Sequence, residues 1–420
     1  MSYTLLRGEF VIRYPDLPRE GPEPDGDTVK FAPDSRALVE SLPRISGRAP
    51  DLNGRGISVR LEAIDTLETH FDETHQELLG ANAARDALLA HLGFTGVTSW
   101  PDLPNKVRAA DQDRMRGHVL SNGIDANGRM IGFVFRGDPA GLDGSSVWVD
   151  ETLVDRSVNA LLLAAGQAYP AFYGTLPVSL RQHLADVSRA ARAAQLPTGL
   201  WPRSTADPDG PAAVVSLDSL EQLVIWPKLF RRIVPYLAGG APDFDGFDAW
   251  LRADPVHRDD KLFLLGLEED GNIHDVVRAA RDEIQLTAWP EDFIIAPDPP
   301  PPGAPTGGRP FQAGDVLVIA ALPDPAGTDL GRETVTVLNA TGSEVDLAGW
   351  TLVDAADGRH DLSGTVGGGA VLQVQLNGGG LRLGNKGDAL LLKDGAGDSI
   401  DQVTYDGRQV QPGRTICFGR

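Results

Sequence analysis

Residues 59–69 read Val-Arg-Leu-Glu-Ala-Ile-Asp-Thr-Leu-Glu-Thr. An arginine leads a short apolar run, and two carboxylates three residues apart follow it. In a regular strand Arg60 and Asp65, five positions apart, would point to opposite faces. They can act on one site only if the strand bends or ends near residues 63–64. We therefore expect the strand to end there and a rim loop to carry Thr66 and Glu68.

Two other segments supply charged groups of the same kinds. The turn Asp25-Gly26-Asp27-Thr28 places Asp27 at the start of a strand, and Gly128-Arg129 precedes another strand. Carboxylates suit hard cations, and guanidinium groups bind phosphate oxygens. These residue types are the minimum set for metal-assisted phosphodiester cleavage.

Composition limits the electrostatic behaviour of the chain. Its 420 residues carry a net charge of -21, which argues against non-specific adhesion to nucleic acid. Residues 204–308 contain 8 basic and 19 acidic residues, a net charge of -11. The preceding region, which holds the candidate site, is more nearly balanced, so a local basic cleft is compatible with the composition.

The sequence contains no apolar run near the roughly 20 residues that a membrane helix needs. The N-terminus reads as a strand rather than as a basic and then apolar export signal. We therefore expect a cytoplasmic location, with export by a route that needs no signal sequence as the alternative.

The pattern predicts a multidomain chain with four parts. Residues 1–203 read as α+β, with strands near 3–12, 27–31, 57–64 and 129–135 and helices near 75–92, 154–166 and 180–195; a small closed barrel fits this order. Residues 204–296 read as a mainly helical extension packed on the first domain, because 217–237 and 273–287 show helical apolar spacing. Residues 297–309 form a Pro/Gly linker. Residues 310–420, with short β-rich runs between turns, read as an all-β sandwich.

The ordered motifs Asp25-Gly26-Asp27-Thr28, Arg60…Asp65-Thr66-Leu67-Glu68 and Asn127-Gly128-Arg129 resemble the staphylococcal (micrococcal, or thermonuclease-like) nuclease family over residues 3–203. The resemblance implies a five-stranded oligonucleotide-binding barrel with helices. It also implies a calcium-dependent hydrolase that cleaves DNA and/or RNA, as an endonuclease or exonuclease, and leaves a 3′-phosphate.

The resemblance assigns a role to each matching residue. Asp27 and Asp65 would bind one Ca²⁺ ion through carboxylate oxygens, and Thr66 would add its backbone carbonyl. Arg60 and Arg129 would clamp the scissile phosphate. Glu68 would position or deprotonate the attacking water.

The sequence departs from the family pattern at several positions. Leu67 replaces the usual proline in the loop that holds Glu68, and Asn127 replaces the common tyrosine. The loop between Phe31 and Ile57 is long and contains four arginines, which either contact substrate or form a solvated surface: Arg36, Arg44, Arg48 and Arg55. Tyr169 and Tyr173 are the candidate substrate-binding tyrosines, with core packing as the alternative for at least one ring.

The pattern from Val335 to Leu392, with Leu347-Ala348-Gly349-Trp350 at its centre, resembles the lamin tail domain, an immunoglobulin-like sandwich. The resemblance implies a targeting or binding role toward a protein, a nucleic acid or a surface. For the whole chain, the rival to a nuclease is a non-catalytic nucleic-acid- or protein-binding scaffold built on a nuclease-like barrel. The presence of both metal-binding acids, both arginines and Glu68 favours the enzyme.

Overall fold

The computed structural model describes residues 2–205, 207–297, 314–327, 331–341, 345–395 and 397–419. Apart from Pro297, the predicted linker 297–309 lies outside these residues. The described chain forms three hydrophobic cores, centred on an N-terminal barrel, a middle segment and a C-terminal sandwich. In these described parts no helix is long and apolar enough to span a membrane.

The N-terminal part contains ten strands and five helices. The strands are β1 (Ser2–Val11), β2 (Thr28–Pro33), β3 (Ile57–Leu61), β4 (Ile64–Asp65), β5 (Thr98–Trp100), β6 (Leu103–Ala109), β7 (Arg114–Ile124), β8 (Met130–Arg136), β9 (Ser146–Trp148) and β10 (Tyr169–Pro170). The helices are α1 (Arg36–Glu40), α2 (Leu78–Leu92), α3 (Glu151–Val154), α4 (Val158–Ala164) and α5 (Val178–Ala194).

Five of these strands close into a barrel, as the sequence predicted. The order is β2-β3-β8-β7-β1, and β1 pairs back with β2 through Gly8↔Pro33 to Val11↔Lys30. All pairings are antiparallel except β3 with β8, in which Arg60 is aligned with Ile131. Closure leaves the site residues at the ends and rims of neighbouring strands.

The middle segment differs from the prediction of a mainly helical extension. Its strands are β11 (Ala213–Val214), β12 (Lys261–Leu264), β13 (Glu269–Asn272), β14 (Val277–Ala280), β15 (Glu283–Leu286) and β16 (Phe293–Ile295), which form two three-stranded sheets. Its α-helices are α6 (Pro227–Ala238) and α7 (Phe247–Arg252). Short 3₁₀ helices span Trp201–Arg203, Leu217–Gln222, Ile273–Val276 and Pro290–Asp292.

The predicted helix at 273–287 was wrong because its apolar residues serve two different elements. Ile273 and Val276 lie in one 3₁₀ turn, whereas Ile284 and Leu286 lie on β15. Arg281, with φ of +54°, lies in the tight connection between β14 and β15. The helical spacing was therefore a coincidence of a turn followed by a hairpin.

The C-terminal part is all β, as predicted. Its strands are β17 (Val316–Leu322), β18 (Thr334–Asn339), β19 (Val345–Asp346), β20 (Thr351–Asp354), β21 (Arg359–Asp361), β22 (Thr365–Val366), β23 (Val371–Gln375), β24 (Gly387–Lys393), β25 (Ser399–Asp406) and β26 (Ile416–Cys417). Two four-stranded sheets, β23-β18-β17-β26 and β21-β20-β24-β25, enclose a core around Trp350.

Candidate functional site

The stretch at 59–69 bends where the parity argument requires it. Strand β3 ends at Leu61, and Ala63 adopts a φ of +69° before β4 begins at Ile64. The left-handed residue reverses the side-chain alternation. As a result Nη2 of Arg60 lies 3.6 Å from Oδ1 of Asp65.

The Asp-Gly-Asp-Thr turn brings Asp27 to the same place. The backbone amide of Thr66 donates a hydrogen bond to Oδ2 of Asp27 at 3.3 Å, and the Thr28 hydroxyl donates to Oδ1 at 3.0 Å. Gly26 permits this approach, because a Cβ there would lie 2.5 Å from Oγ1 of Thr66. Asp27 and Asp65 are both buried.

Arg129 lies immediately before β8, in a turn where Gly128 has a φ of +79°. Its Nε donates to Oδ2 of Asp125 at 2.8 Å. Arg129 lines a cleft of about 440 Å³ together with Arg60 and Glu68. The three residues with predicted catalytic roles thus face one cleft, although they are separated by up to 69 positions in sequence.

The two candidate tyrosines have different surroundings. Tyr173 lines the cleft, and the Arg60 guanidinium lies 5.7 Å from its ring centroid. Tyr169 is fully buried against Trp201, and its hydroxyl lies 2.6 Å from the Ser204 hydroxyl. Tyr169 therefore takes the alternative that the sequence left open, because its ring packs in the core, and Tyr173 stays the candidate for substrate contact.

The arginines of the long loop do not line this cleft as the structure describes it. Arg55 pairs with Asp16 at 2.9 Å, and Arg44 pairs with Asp398 at 2.6 Å. Arg36 donates to backbone carbonyls of Asn53 and Leu52. These contacts favour a structural role for the loop over substrate binding.

The middle segment supplies a site residue that the sequence did not reveal. Helix α6 places Arg231 between two of the acids: Nη2 lies 2.8 Å from Oδ2 of Asp65, and Nη1 pairs with Oε1 of Glu68. Lys228 and Arg232 of the same helix also line the cleft. The pair Arg231-Arg232 in an otherwise acidic segment was the only hint in the sequence.

Burial and charge act against each other on the acids. Burial raises the pKa of Asp65, although Arg231 and Arg60 oppose the increase. Burial also raises the pKa of Glu68, against the effect of Arg231. For Asp27, burial is outweighed by Arg60, Arg231 and Arg129, so its pKa is lowered. The acids therefore need cations close by to stay ionised.

The donor set fits a hard cation held by few protein ligands. Oδ1 of Asp65 is buried and accepts no hydrogen bond from any residue that the structure describes. Asp27 and Asp65 lie close enough for each carboxylate to affect the ionisation of the other. No cluster of three or more histidine, cysteine or acidic side chains suited to a metal occurs among the described residues. A cation here would depend on two carboxylates, with backbone carbonyl and water oxygens completing its shell.

Comparison with known proteins identifies one part of the chain. Residues 309–407 match the family model of the lamin tail domain. The match agrees with the resemblance seen in the sequence and with the two-sheet architecture of the C-terminal part. No curated protein matches the chain.

Proposed function

We propose that the chain is a metal-dependent nuclease that hydrolyses phosphodiester bonds of DNA and/or RNA, with its tail domain serving targeting or binding. One observation carries the proposal: a strand end, a turn and a rim loop bring Arg60, Asp65, Asp27 and Glu68 together beside the cleft that Arg129 lines. These residues are far apart in the sequence and are brought together by the fold.

The roles follow from chemistry and position. Asp27 and Asp65 would hold the cation with the Thr66 carbonyl, and Ca²⁺ is the ion that the nuclease resemblance implies. A bound divalent cation would supply positive charge at the phosphate and at the attacking oxygen. Arg60 and Arg129 would bind phosphate oxygens and stabilise the charge that develops on them. Glu68 would orient the water and accept its proton. The leaving 5′ oxygen and 3′-phosphate product follow the nuclease resemblance.

A non-catalytic scaffold is the second candidate. The contact of Arg231 with Asp65 and Glu68 favours it, because a protein cation already compensates two of the acids. A scaffold would bind nucleic acid or protein and would not cleave nucleic acid. A cleavage assay therefore distinguishes the two candidates, because only the nuclease yields cleaved nucleic acid.

The assay incubates the full chain with single-stranded and double-stranded DNA and with RNA, each with Ca²⁺, Mg²⁺, Mn²⁺ or chelator. We expect cleavage that requires a divalent cation. Glu68→Gln and Arg129→Ala should each lower kcat/KM by about 10²-fold or more. The exposed residues Glu73 and Arg108 provide matched controls, Glu73→Gln and Arg108→Ala, which should keep wild-type rates. Binding without cleavage under every condition would support the scaffold and overturn the enzyme.

A further inference from the structure

Arg231 contacts the candidate site through two separate carboxylates. One guanidinium nitrogen binds Asp65 and the other binds Glu68, and the arginine side chain is only 19% exposed. Asp65 belongs to the proposed cation site, and Glu68 is the residue proposed to activate water. A single guanidinium thus contacts both the acid proposed to bind the metal ion and the acid proposed to activate the water.

Helix α6 holds Arg231 in this position. Phe230 and Ile233 on either side of Arg231 are fully buried in the core of the middle segment. The other two cations on the helix contact a different acid, because Lys228 and Arg232 both pair with Asp260 at 2.9 and 2.8 Å. Of the cations on α6, Arg231 is the one for which the structure gives ion pairs with site acids.

The charges explain why such a residue is useful. Buried carboxylates without a compensating cation are strongly destabilising. Arg60 lies 3.6 Å from Oδ1 of Asp65, but the structure gives Glu68 an ion pair with Arg231 alone among its described residues. Arg231 therefore places a positive charge in direct contact with both carboxylates.

We propose that Arg231 is an internal cation that competes with a divalent metal ion for Asp65, so that the middle segment sets the metal affinity of the site. The inference rests on the cation site of the proposed function. The guanidinium on Oδ2 of Asp65 repels a divalent ion bound at the neighbouring Oδ1 of the same carboxylate. Metal binding therefore requires Arg231 to withdraw from Asp65 toward the cleft that it already lines.

The test is a calorimetric titration of the full chain with Ca²⁺ in the absence of nucleic acid. Arg231→Gln should lower the Kd for Ca²⁺ by about tenfold or more, because it removes the competing charge. Arg232→Gln is the matched control: it removes the same charge from the next position of α6, whose partner is Asp260, and should change the Kd by less than about threefold. Unchanged or weaker Ca²⁺ binding in Arg231→Gln would overturn the proposal.

A second measurement covers the case in which Arg231→Gln does not fold. In the wild-type chain, the guanidinium protons of Arg231 should give slowly exchanging NMR signals in chelator, assigned by their loss in Arg231→Lys. Saturating Ca²⁺ should abolish them. If they persist while calorimetry shows Ca²⁺ bound, the competition does not exist.

These readouts separate the two proposals. Neither needs substrate, so a chain that cleaves no nucleic acid but shows the tenfold affinity change supports Arg231 as a competing cation and refutes the nuclease. Metal-dependent cleavage of nucleic acid without such a change in Ca²⁺ affinity would support the nuclease and refute Arg231 as a competing cation.

Discussion

At the scale of single residues, Leu67 shows how a departure from a motif can be compensated. It stands where the resembling nucleases have proline, between the proposed metal-binding and water-activating groups. The side chain is 1% exposed and packs in the core that the middle segment shares with Ala81 and Trp201. Apolar packing therefore restrains the loop in place of a fixed backbone angle.

Leu67→Ala should destabilise the chain by about 2–4 kcal/mol, since it leaves a cavity in a packed core. It should also lower the cleavage rate more than stability alone explains, because the Glu68 backbone loses its anchor. Urea unfolding and kinetics at a temperature where the variant is folded would measure both effects. The exposed Leu79 provides the control Leu79→Ala, for which we expect almost no change. Normal turnover in Leu67→Ala would show that the loop is held by something else.

Glu62 is a buried acid that the proposed chemistry does not use. Burial raises its pKa from 4.5 to about 8, with Asn122 and Arg60 opposing the increase. An acid with a raised folded-state pKa binds a proton on folding, so stability is highest below about 4.5 for this group and falls as pH rises to about 8. Glu62 should therefore weaken the fold by about 3–5 kcal/mol at pH 8 relative to its protonated form.

Glu62→Gln should remove this dependence. We expect the variant to match the wild-type free energy of unfolding near pH 4, below the ordinary pKa of 4.5, and to exceed it at pH 8, as urea titrations at a series of pH values would show. Glu73→Gln, at an exposed position, should leave the pH profile of the wild type unchanged. A Glu62→Gln chain that loses stability at pH 8 would mean that the carboxylate form is the one the fold needs.

At the scale of elements, Gln76 joins the candidate site to the segment that leads into α6. Its side chain is fully buried, accepts from the Glu68 amide at 3.1 Å and donates to the carbonyl of Ile225 at 2.9 Å. These bonds connect the rim loop of the barrel with the approach to the helix that carries Arg231. The middle segment is thus joined to the site by the side-chain hydrogen bonds of Gln76 as well as by the two ion pairs of Arg231.

Gln76→Leu should cost about 2–4 kcal/mol, because the part-buried Glu68 amide and the buried Ile225 carbonyl lose this hydrogen-bond partner. The Glu68 loop should become more mobile, so kcat should fall while the barrel stays folded. Hydrogen exchange of residues 65–69 and cleavage kinetics would report the two effects. Gln182 on the exposed face of α5 gives the control Gln182→Leu. Unaltered hydrogen exchange of residues 65–69 in Gln76→Leu would mean that contacts other than those of Gln76 restrain the Glu68 loop.

The same elements show what the sequence could and could not reveal. The strand at 57–61 and its bend were predictable, because side chains alternate between the two faces of a strand. That local rule puts Arg60 and Asp65 on opposite faces unless the strand bends between them. Strand β7 was not predicted: Ser121 and Asn122 are buried polar residues that break the apolar alternation, and barrel closure rather than local pattern places them inside. Arg231 was not predictable either, since its partners lie over 160 positions away and no periodicity encodes them.

At the scale of the whole molecule, polar contacts join the tail domain to the N-terminal part. Arg44 pairs with Asp398 at 2.6 Å, and Nε2 of Gln402 donates to the carbonyl of Gly144 at 3.0 Å. Both side chains of the ion pair are largely buried, and burial raises the pKa of Asp398 against the effect of Arg44. A few polar contacts of this kind hold a domain weakly.

The double variant Arg44→Gln/Gln402→Ala should therefore release the tail without unfolding either part. We expect a larger radius of gyration in small-angle X-ray scattering. The released tail would then be joined to the rest of the chain only through the proline-rich sequence at 297–309. Cleavage rates should stay near wild type, since the arginine of this pair does not line the cleft that the structure describes. Arg48→Gln, four positions from Arg44 and exposed, is the matched control and should leave the scattering profile unchanged. An unaltered radius of gyration in the double variant would mean that contacts beyond these two hold the tail, and a large loss of cleavage with the tail released would assign the tail a direct part in catalysis.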